Sequence, residues 1–351
     1  MPPLRAAVFR QFKGPIAVEK VVDPSCPDDG VIVEVKACGV CRSDHHAWVG
    51  ADADLELPHV MGHEMAGVIV EAGPQSGRWT GERVTAPFIF GCGHCNDCAS
   101  GQPTICDDQY VLGFSGWGAF AQYVAVPNAP YNLVSLPDAV DYVQAAGMGC
   151  RVTTAYRGLT ERGDLAAGEW LCVHGCGGIG LSAIMIARAL GASVVAVDIN
   201  PDALALAKAF GADVCLDARR YDPATLYEAV RDATGGGAHV SIDALGHTQT
   251  FHNALYCLRK GGRHVQIGFP VGVHASPTVP LLELVYGRQI SILGSRGMAA
   301  KGFKDLFDMV DSGHLDLDAL VSKRIALEDV GAAIQSMDGF SGAGVTVVDR
   351  F

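Results

Sequence analysis

Charged side chains are scarce in this sequence, and basic ones are scarcer than acidic ones. Asp, Glu, Lys and Arg make up 18% of the chain, against a usual ~25%. The 38 acidic residues outnumber the 26 basic ones, which gives a formal net charge of −12. Since 49% of the residues are hydrophobic, the composition excludes intrinsic disorder. The acidic balance argues against nucleic acid and against an anionic membrane surface as partners.

The sequence also lacks a long apolar run. Its first residues, MPPLRAAVFRQFKG, contain no hydrophobic segment of signal-peptide length. The uncharged stretch from Val111 to Pro137 is interrupted by three prolines and three glycines, so it is not a membrane span. We therefore expect a cytoplasmic protein without a membrane partner. In that compartment, the 12 cysteines indicate metal binding or catalysis more than disulfide bridges.

The length and the hydrophobic pattern predict two domains. A chain of 351 residues fits two domains of ~100–200 residues each. Residues 1 to about 150 contain short alternating runs, such as VIVEVKACGV at 31–40, which indicate a β-rich unit. Further along, strands alternate with glycine turns and helices, which predicts βαβ units and a doubly wound parallel sheet. We therefore predict an α/β protein in which a Rossmann domain (151–294) is inserted between two pieces (1–150 and 295–351) of a β-rich domain.

The strongest local signal is a group of four closely spaced cysteines. The spacing C-x2-C-x2-C-x7-C joins Cys92, Cys95, Cys98 and Cys106. Four thiolates at this spacing reach one tetrahedral zinc ion, and a site closed by four protein ligands is structural because no position is left for a substrate. His94 and Asp97 are interpreted as bystanders. An iron–sulfur cluster and four unrelated cysteines are the alternatives.

A second set of candidate metal ligands is spread more widely. Cys41 lies in GVCRSDHH, His63 lies in GHEMAG, and Cys150 stands alone. Together they would form a three-ligand zinc site whose fourth position is open to water or substrate. The residues alone leave open a buried cysteine and an ordinary hydrogen-bonded histidine. Cys38 and Cys41 also have the spacing of a redox pair, but the βαβ context of a thioredoxin motif is absent.

A glycine-rich turn opens the predicted Rossmann domain. Gly175, Gly177 and Gly180 follow the predicted strand WLCVH and begin a helix, and the next predicted strand ends in Asp198. In this context G-x-G-x-x-G indicates dinucleotide binding, because the glycines permit close backbone approach and the helix N-terminus meets the pyrophosphate. An acidic residue that ends the second strand favours NAD over NADP. A glycine-rich turn without a cofactor is the alternative.

Taken in this order, the three features resemble the zinc-containing medium-chain alcohol dehydrogenase family over essentially the whole chain. Gly62-His63-Glu64-x2-Gly67-x5-Gly73 is similar to the family's zinc signature, and the four-cysteine segment is similar to its structural-zinc lobe. AAGMGCRVTTAY (145–156) is similar to its third-ligand segment. The resemblance implies a GroES-like catalytic domain around the Rossmann domain. It also implies two zinc ions per chain, one catalytic and one structural, and NAD(H) as a further cofactor.

The resemblance assigns roles at the catalytic zinc. Cys41, His63 and Cys150 would be its ligands. Glu64 would lie behind the metal as a possible alternate ligand. Asp44 would orient His63, as carboxylates behind a metal-binding histidine do.

The resemblance also implies a proton path, a substrate pocket and a cofactor site. Ser43 would hydrogen-bond to the substrate hydroxyl, and its proton would pass through the cofactor ribose to His46. Trp48 and Phe88 would line the substrate pocket, with ordinary core aromatics as the alternative. The residues that would contact the cofactor are Arg42, Thr154, Gly175, Gly177, Gly178, Ile179, Gly180, Asp198, Ile267, Leu293 and Ser295.

The activity implied by the resemblance is that of a zinc-dependent alcohol dehydrogenase. Such an enzyme transfers hydride reversibly from a zinc-bound primary or secondary alcohol to NAD+, giving an aldehyde or ketone and NADH. A polyol dehydrogenase or carbonyl reductase of the same family is one alternative. A non-catalytic zinc- or nucleotide-binding protein on the same fold is another. The resemblance further implies a homotetramer, with a homodimer as the alternative.

Several residues that attract attention are left without a role. His45 is interpreted as a solvated surface histidine. Cysteines outside both zinc sites are interpreted as small buried hydrophobic residues or free thiols. They are Cys26, Cys38, Cys172, Cys176, Cys215 and Cys257.

Overall fold

The computed structural model describes residues 4–51, 55–339 and 344–351. Its strands are β1 (Leu4–Phe9), β2 (Ile16–Val21), β3 (Val31–Val40), β4 (His59–Val60), β5 (Glu64–Ala72), β6 (Arg83–Thr85), β7 (Ile89–Phe90), β8 (Tyr110–Val111), β9 (Tyr123–Val126), β10 (Val134–Ser135), β11 (Trp170–His174), β12 (Ser193–Asp198), β13 (Val214–Asp217), β14 (Ala238–Asp243), β15 (Leu258–Gln266), β16 (Ser291–Gly294), β17 (Val321–Ala326) and β18 (Val345–Arg350).

The helices connect these strands. The α-helices are α1 (Arg42–Trp48), α2 (Asn96–Ala99), α3 (Ala129–Asn132), α4 (Tyr142–Arg157), α5 (Gly178–Ala189), α6 (Pro201–Ala209), α7 (Pro223–Ala233), α8 (Thr248–Tyr256), α9 (Phe303–Asp311), α10 (Leu317–Leu320) and α11 (Val330–Gln335). π-Helical segments cover Gly158–Arg162 and Leu281–Gly287. Short 3-10 helices cover Pro103–Ile105, Ala218–Arg220, Gly272–His274, Ala300–Gly302, Leu327–Asp329 and Ser336–Gly339.

The chain folds into two compact units. The first contains Met1–Thr153, Gly297–Asp311 and Leu317–Phe351. The second contains Thr154–Arg296 and Ser312–Asp316. In the sequence, the second unit therefore interrupts the first.

The first unit is built on a seven-stranded sheet with β3 near its centre. The strand order is β10-β6-β5-β3-β18-β17, and β9 also pairs with β3. Val31, Val33 and Val35 are buried on one face of β3, whereas Glu34 and Lys36 alternate with them and pair with each other near solvent. From residue 37 to residue 40 the strand is buried on both faces. The chain therefore leaves β3 inside the unit, where Cys41 and Asp44 are buried.

Strand register brings two distant parts of the sequence together at this point. β3 and β5 are antiparallel, with Cys38 opposite Met65 and Gly39 opposite Glu64. Residues that directly follow β3 therefore lie beside residues that directly precede β5. Cys41 and His63 are two such residues.

The second unit is built on a parallel sheet. Its six strands have the order β13-β12-β11-β14-β15-β16, and every neighbouring pair is parallel. The chain reverses its direction of travel across the sheet between β13 and β14, which is the doubly wound arrangement that creates a ligand crevice at the carboxyl ends of the strands. The predicted α/β class with a doubly wound parallel sheet is confirmed.

Each unit has its own apolar core. Phe9, Phe90 and Phe120 are fully buried in the first unit, and Val230 and Leu255 are fully buried in the second. Burying a side chain of this size stabilises a fold by about 1.5–3 kcal/mol relative to leaving it exposed. Within the described parts of the chain, no helix combines the length and the apolar character needed to cross a membrane.

Candidate active site and metal centres

Asp44 organises the turn that follows β3. Cys41 is the N-cap of α1, and its backbone N–H donates to Asp44 Oδ2 at 2.8 Å. The other carboxylate oxygen, Oδ1, accepts from His63 Nδ1 at 3.0 Å and from the Gly62 backbone N–H at 3.2 Å. Asp44 is fully buried, so these bonds are shielded from water. One carboxylate therefore fixes both the backbone at Cys41 and the ring of His63.

The structure brings Cys41, His63, Glu64 and Cys150 into one buried group. Their donor atoms all lie within 4.8 Å of one another. His63 Nε2 is buried and has no hydrogen-bond partner among the described residues. Because Asp44 occupies Nδ1, the unpaired Nε2 is the atom left to bind a metal ion, as in carboxylate–histidine–zinc arrangements. Two sulfurs and this nitrogen are the donor set that zinc prefers, so these residues fit a zinc ion.

Charge within this group favours a thiolate at Cys41. Hydrogen bonding with Cys150 holds the pKa of the Cys41 thiol well below its usual range, although burial opposes this shift. For His63, burial alone would lower the pKa, but the Asp44 carboxylate and Cys41 raise it well above the usual value. The thiolate is the form of cysteine that binds metals.

Glu64 is held by partners of its own. Glu64 Oε1 accepts from the Cys150 backbone N–H at 2.7 Å, and Oε2 accepts from the guanidinium of Arg151. Arg151 also donates to the carbonyl of Val40 at 2.9 Å. Burial raises the pKa of Glu64 to about 7, although the nearby Arg151 lowers it. A Cβ at Gly39 would lie 2.1 Å from Glu64 Oε2, so the strand needs glycine opposite this carboxylate.

Sequence reasoning missed Arg151. Its side chain is buried and forms an ion pair with the fully buried Glu64. A charged residue directly after a candidate ligand, Cys150, in an otherwise apolar helical segment was the available signal. A buried arginine requires a charged partner, and the nearest carboxylate of the predicted site was Glu64.

Helix α1 carries the residues of the predicted proton path. Ser43 Oγ lies 3.7 Å from Cys41 Sγ, so the hydroxyl is next to the metal-binding group. Burial lowers the pKa of His46 below its usual value. The guanidinium of Arg42 donates to the carbonyl of Met337.

The interpretation of His45 as a solvated surface residue is wrong. His45 is 8% exposed, and its Nε2 donates to Asp338 Oδ1 at 2.7 Å. The reason is that one side of α1 packs on α11 and on the 3-10 helix after it, a long-range contact that the sequence of α1 does not encode.

The two aromatic residues predicted for the substrate pocket lie in different places within the first unit. The Phe88 ring is 5.7 Å from the His63 ring, and Phe88 packs with Cys41 and Cys150. Trp48 lies in the main core, and its indole N–H donates to the Gly14 carbonyl at 2.8 Å. This position corresponds to the core alternative for Trp48. The Phe114 ring, 5.5 Å from His63, is a neighbour that sequence reasoning missed.

The four-cysteine segment folds around a common centre. Cys92 Sγ lies 4.0 Å from Cys98 Sγ, and Cys95 Sγ lies 3.8 Å from Cys106 Sγ. Ligands at ~2.3 Å from a tetrahedral zinc ion would be about 3.8 Å apart. Backbone N–H groups of Cys92, Cys95 and Cys98 donate to sulfurs of the group. These donors stabilise thiolates, so the segment fits a zinc ion.

His94 and Asp97 flank this group without joining the four sulfurs. His94 is exposed, and its Nδ1 lies 3.0 Å from the carbonyl of Cys92. Its ring is also within reach of Asp108 and Cys92. Among the described residues, Asp97 belongs to no group of candidate metal ligands.

The glycine loop of the second unit joins β11 to α5. Gly175 has φ +94°, a conformation that only glycine adopts without strain. A Cβ at Gly180 would lie 1.9 Å from the Gly175 carbonyl oxygen. Asp198, at the end of β12, accepts from the backbone N–H groups of Cys176 at 2.6 Å and Asn200 at 2.7 Å. The loop, the N-terminus of α5 and this carboxylate therefore meet at one edge of the sheet.

The other predicted cofactor residues of the second unit lie at the same edge or near it. Ile267 and Ser295 follow the carboxyl ends of β15 and β16, and Leu293 lies within β16. Ser295 Oγ is buried without a hydrogen-bond partner among the described residues. The Ile267 side chain packs against the backbone of Gly158. A Cβ added at Gly158 would lie 2.8 Å from Ile267 Cδ1. Thr154 is buried in α4.

Two domain models and several known proteins match this chain. Residues 27–138 match the model of the alcohol dehydrogenase GroES-like domain, and residues 178–312 match that of the zinc-binding dehydrogenase domain. An alcohol dehydrogenase of Geobacillus stearothermophilus is 37% identical over 89% of this chain and 90% of its own length. An NAD-dependent alcohol dehydrogenase of Sulfurisphaera tokodaii is 31% identical over 98% of this chain and 99% of its own.

A solved structure is also similar in fold. Alcohol dehydrogenase TADH from Thermus sp. ATN1 superposes with a TM-score of 0.89 at 28% identity, over 99% of this chain and 100% of that chain. The GroES-like assignment of the β-rich part, which the resemblance implied, is confirmed by the matching domain model.

Proposed function

This chain belongs to the zinc-containing medium-chain alcohol dehydrogenase family, and from that premise we propose that it transfers hydride reversibly from a primary or secondary alcohol to NAD+. It is a zinc-dependent alcohol dehydrogenase. The main evidence for the location of the reaction is the Nε2 atom of His63, which is unpaired among the described residues and buried beside Cys41 and Cys150. These three residues would hold the catalytic zinc. Zinc bound there would supply Lewis acidity, which lets an alcohol lose its proton near neutral pH.

The remaining residues of the site would position the substrate and move its proton. Ser43 Oγ, 3.7 Å from Cys41 Sγ, would accept a hydrogen bond from the alcohol. His46 would be the base that finally takes the proton towards solvent. Asp44 would keep the His63 ring oriented, and Phe88 would pack against apolar groups of the substrate. Glu64, held by Arg151, would remain a possible alternate ligand.

A substrate panel tests this proposal. Purified enzyme is given primary, secondary and aromatic alcohols and polyols with NAD+ or NADP+, and absorbance of the reduced nicotinamide is recorded with and without a zinc chelator. We expect chelator-sensitive reduction of NAD+ with simple alcohols. A preference for polyols, or activity confined to carbonyl reduction, would favour the two alternative family activities. Zinc-loaded protein without turnover on any substrate would indicate a non-catalytic binding protein.

His46→Gln should slow alcohol oxidation mainly at neutral and mildly acidic pH. Burial lowers the pKa of His46, so the wild-type ring stays unprotonated, and able to accept a proton, below the usual histidine pKa. Glutamine cannot accept that proton, and we expect a loss of about 100-fold, the low end of general-base contributions. As pH rises, hydroxide replaces the base and the two proteins should converge. The measurement is kcat as a function of pH.

The exposed His314 provides the matched control, and His314→Gln should keep the wild-type profile. If His46→Gln changes the rate by the same factor at every pH, His46 is not the base of the proton path.

Asp198→Ala should weaken the preference for NAD+ over NADP+. A charge-assisted hydrogen bond to the ribose contributes about 1.5–3 kcal/mol, which corresponds to about 10- to 100-fold in kcat/KM for NAD+. Removing the carboxylate also removes repulsion of a 2′-phosphate, so activity with NADP+ should rise. The measurement is kcat/KM with each cofactor.

The control for this experiment is Asp202→Asn, a change in the first turn of α6. It should leave both values unchanged. Because Asp198 also binds the Cys176 and Asn200 N–H groups, the melting temperature is compared in parallel. An unchanged cofactor ratio in a stably folded Asp198→Ala protein would contradict the assignment.

We further propose that the catalytic domain comprises residues 1–150 and 295–351, that the NAD-binding domain comprises residues 151–294, and that the protein is a cytoplasmic homotetramer. No described cysteine forms a disulfide, which supports a reducing compartment. Exposed apolar side chains near the edge strand β16, namely Leu281, Leu282, Tyr286 and Ile292, support an interface between copies of the chain. Light scattering of the eluting protein distinguishes the tetramer from the alternative dimer.

A further inference from the structure

A third group of metal-binding side chains lies in the core of the second unit. Cys172 and His174 are two residues apart on β11, so they point to the same side of the sheet. Cys257 ends α8, directly before β15. His174 Nε2 lies 3.4 Å from Cys172 Sγ and 3.7 Å from Cys257 Sγ. All three donor atoms lie within 4.8 Å of one another, and all three residues are buried.

The burial of His174 is poorly compensated by the protein alone. The polar contacts of its ring are with the two sulfur atoms, which form only weak hydrogen bonds. Its Nδ1 is buried and has no partner in the described parts of the chain. The weak contacts of Nε2 require an explanation, and an ion bound at that nitrogen is one of the recognised ones. Nδ1 would then carry the proton of the neutral ring.

The spacing of the donors matches that of ligands on one metal ion. With Zn–S bonds of ~2.3 Å and Zn–N bonds of ~2.0–2.1 Å, a tetrahedral zinc ion places sulfur and nitrogen ligands about 3.6 Å apart. The two observed distances, 3.4 and 3.7 Å, lie on either side of this value. The two sulfur atoms lie within 4.8 Å of each other, which is close enough for both to bind the same ion.

The charge of such a site is also compatible with its surroundings. Val195, Leu255 and Leu258 belong to the same apolar core as the two cysteines, so an ion with a net charge would be strongly disfavoured there. Two thiolates offset the two positive charges of Zn2+, and a neutral imidazole adds none. Binding would release the two thiol protons to solvent, and the resulting site would be neutral.

We propose that Cys172, His174 and Cys257 form a third metal site, which binds a thiophilic ion, Zn2+ in the first instance. Three protein ligands leave the fourth position of a tetrahedral ion to a water molecule. Because all three residues are buried, no substrate reaches that position, and the role of the site is structural. It would tie β11, which leads directly into the Gly175 loop, to the end of α8. The site is separate from both donor sets of the first unit and does not depend on the proposed function.

Counting metal ions tests the proposal on the native chain. Purified enzyme, supplied with Zn2+ during expression and dialysed against metal-free buffer, is analysed for zinc and copper by mass spectrometry. We expect three ions per chain, one each at the groups that contain Cys41, Cys95 and Cys172. Two ions per chain in fully active, stable protein would overturn the proposal. Copper as the third ion would support the site and identify a softer occupant.

Variants locate the third ion. Cys257→Ser should lose one ion per chain, whereas Cys215→Ser, a change at a cysteine outside the donor sets, should lose none. If Cys257→Ser does not fold, His174→Gln provides a second test, because it removes the nitrogen donor and keeps both thiols. Equal metal content in a folded His174→Gln or Cys257→Ser protein and in the wild type would overturn the proposal.

The failure of this site and the failure of the proposed activity are distinguishable. Cys41→Ala and Cys95→Ala should each lose one ion from the first unit and keep the third. An inactive chain that still contains the third ion leaves this proposal intact. An active protein that lacks the third ion would contradict the proposed third metal site and leave the proposed activity intact.

Discussion

Cys41→Ala is expected to abolish alcohol oxidation while the fold is retained. The change removes one of the three protein ligands that would hold the catalytic zinc, and the remaining His63 and Cys150 cannot hold the ion in an open tetrahedral site. Lewis-acid catalysis by a metal contributes several kcal/mol. At ~1.36 kcal/mol per tenfold change in rate, we expect kcat to fall by about 1,000-fold or more. The measurement is reduction of NAD+ with the best alcohol of the substrate panel.

The nearby Cys38 provides a matched control for this experiment. It is fully buried near the end of β3, close to Cys41 in the sequence, but it does not belong to the donor set. Cys38→Ala should therefore retain most of the activity and all of the zinc. Circular dichroism should show the same secondary structure in both variants. NAD-linked turnover retained by a well-folded Cys41→Ala protein would exclude Cys41 as a ligand of the reacting metal.

Features that depend on local pattern were predictable from the sequence. The run at 31–40 alternates apolar and polar residues and then becomes wholly apolar, and it forms the strand β3 with the same limits. In the second half of the chain, strands alternate with helices of moderate length, and the structure has the parallel doubly wound sheet that this alternation predicts. Local sequence is sufficient in these cases because hydrophobic periodicity and glycine turns act over a few residues.

Features that depend on register between distant segments were not predictable from residues alone. Spacing does not join Cys41 to His63, because their proximity follows from the pairing of Gly39 with Glu64 across β3 and β5. The resemblance to a family supplied that link. The contact of His45 with Asp338 and the ion pair of Arg151 with Glu64 are also long-range contacts. Both depend on how distant segments of the chain pack together.

The cysteines illustrate both situations. The four-cysteine segment was recognisable because its ligands lie close together in the sequence, and the structure brings all four sulfurs together. Cys172 and Cys257 were interpreted as separate buried thiols. They meet only because α8 returns the chain to the sheet beside β11, where His174 lies between them. A cluster of this kind becomes visible only in three dimensions.

Cys95→Ala is expected to destabilise the first unit strongly. The sulfurs of Cys95 and Cys106 lie 3.8 Å apart, and the Cys98 N–H donates to Cys95 Sγ, so the change removes both a zinc ligand and an acceptor. Binding energy of a structural zinc ion is folding energy. We expect a loss of at least about 3 kcal/mol, which corresponds to a fall of roughly 6–12 °C in melting temperature for a unit of this size. Differential scanning calorimetry of zinc-loaded protein measures the fall.

His94→Gln separates loss of a ligand from a general effect of mutating this segment. His94 is exposed and contacts the carbonyl of Cys92, so its replacement should leave zinc content and melting temperature close to those of the wild type. Chelator should lower the melting temperature of the wild type and of His94→Gln but change that of Cys95→Ala much less, because the ion at the four-cysteine group is already absent. A Cys95→Ala protein with wild-type stability would show that the ion does not contribute to folding. A large fall in melting temperature for His94→Gln, together with the loss of one zinc ion, would instead assign His94 to the metal site.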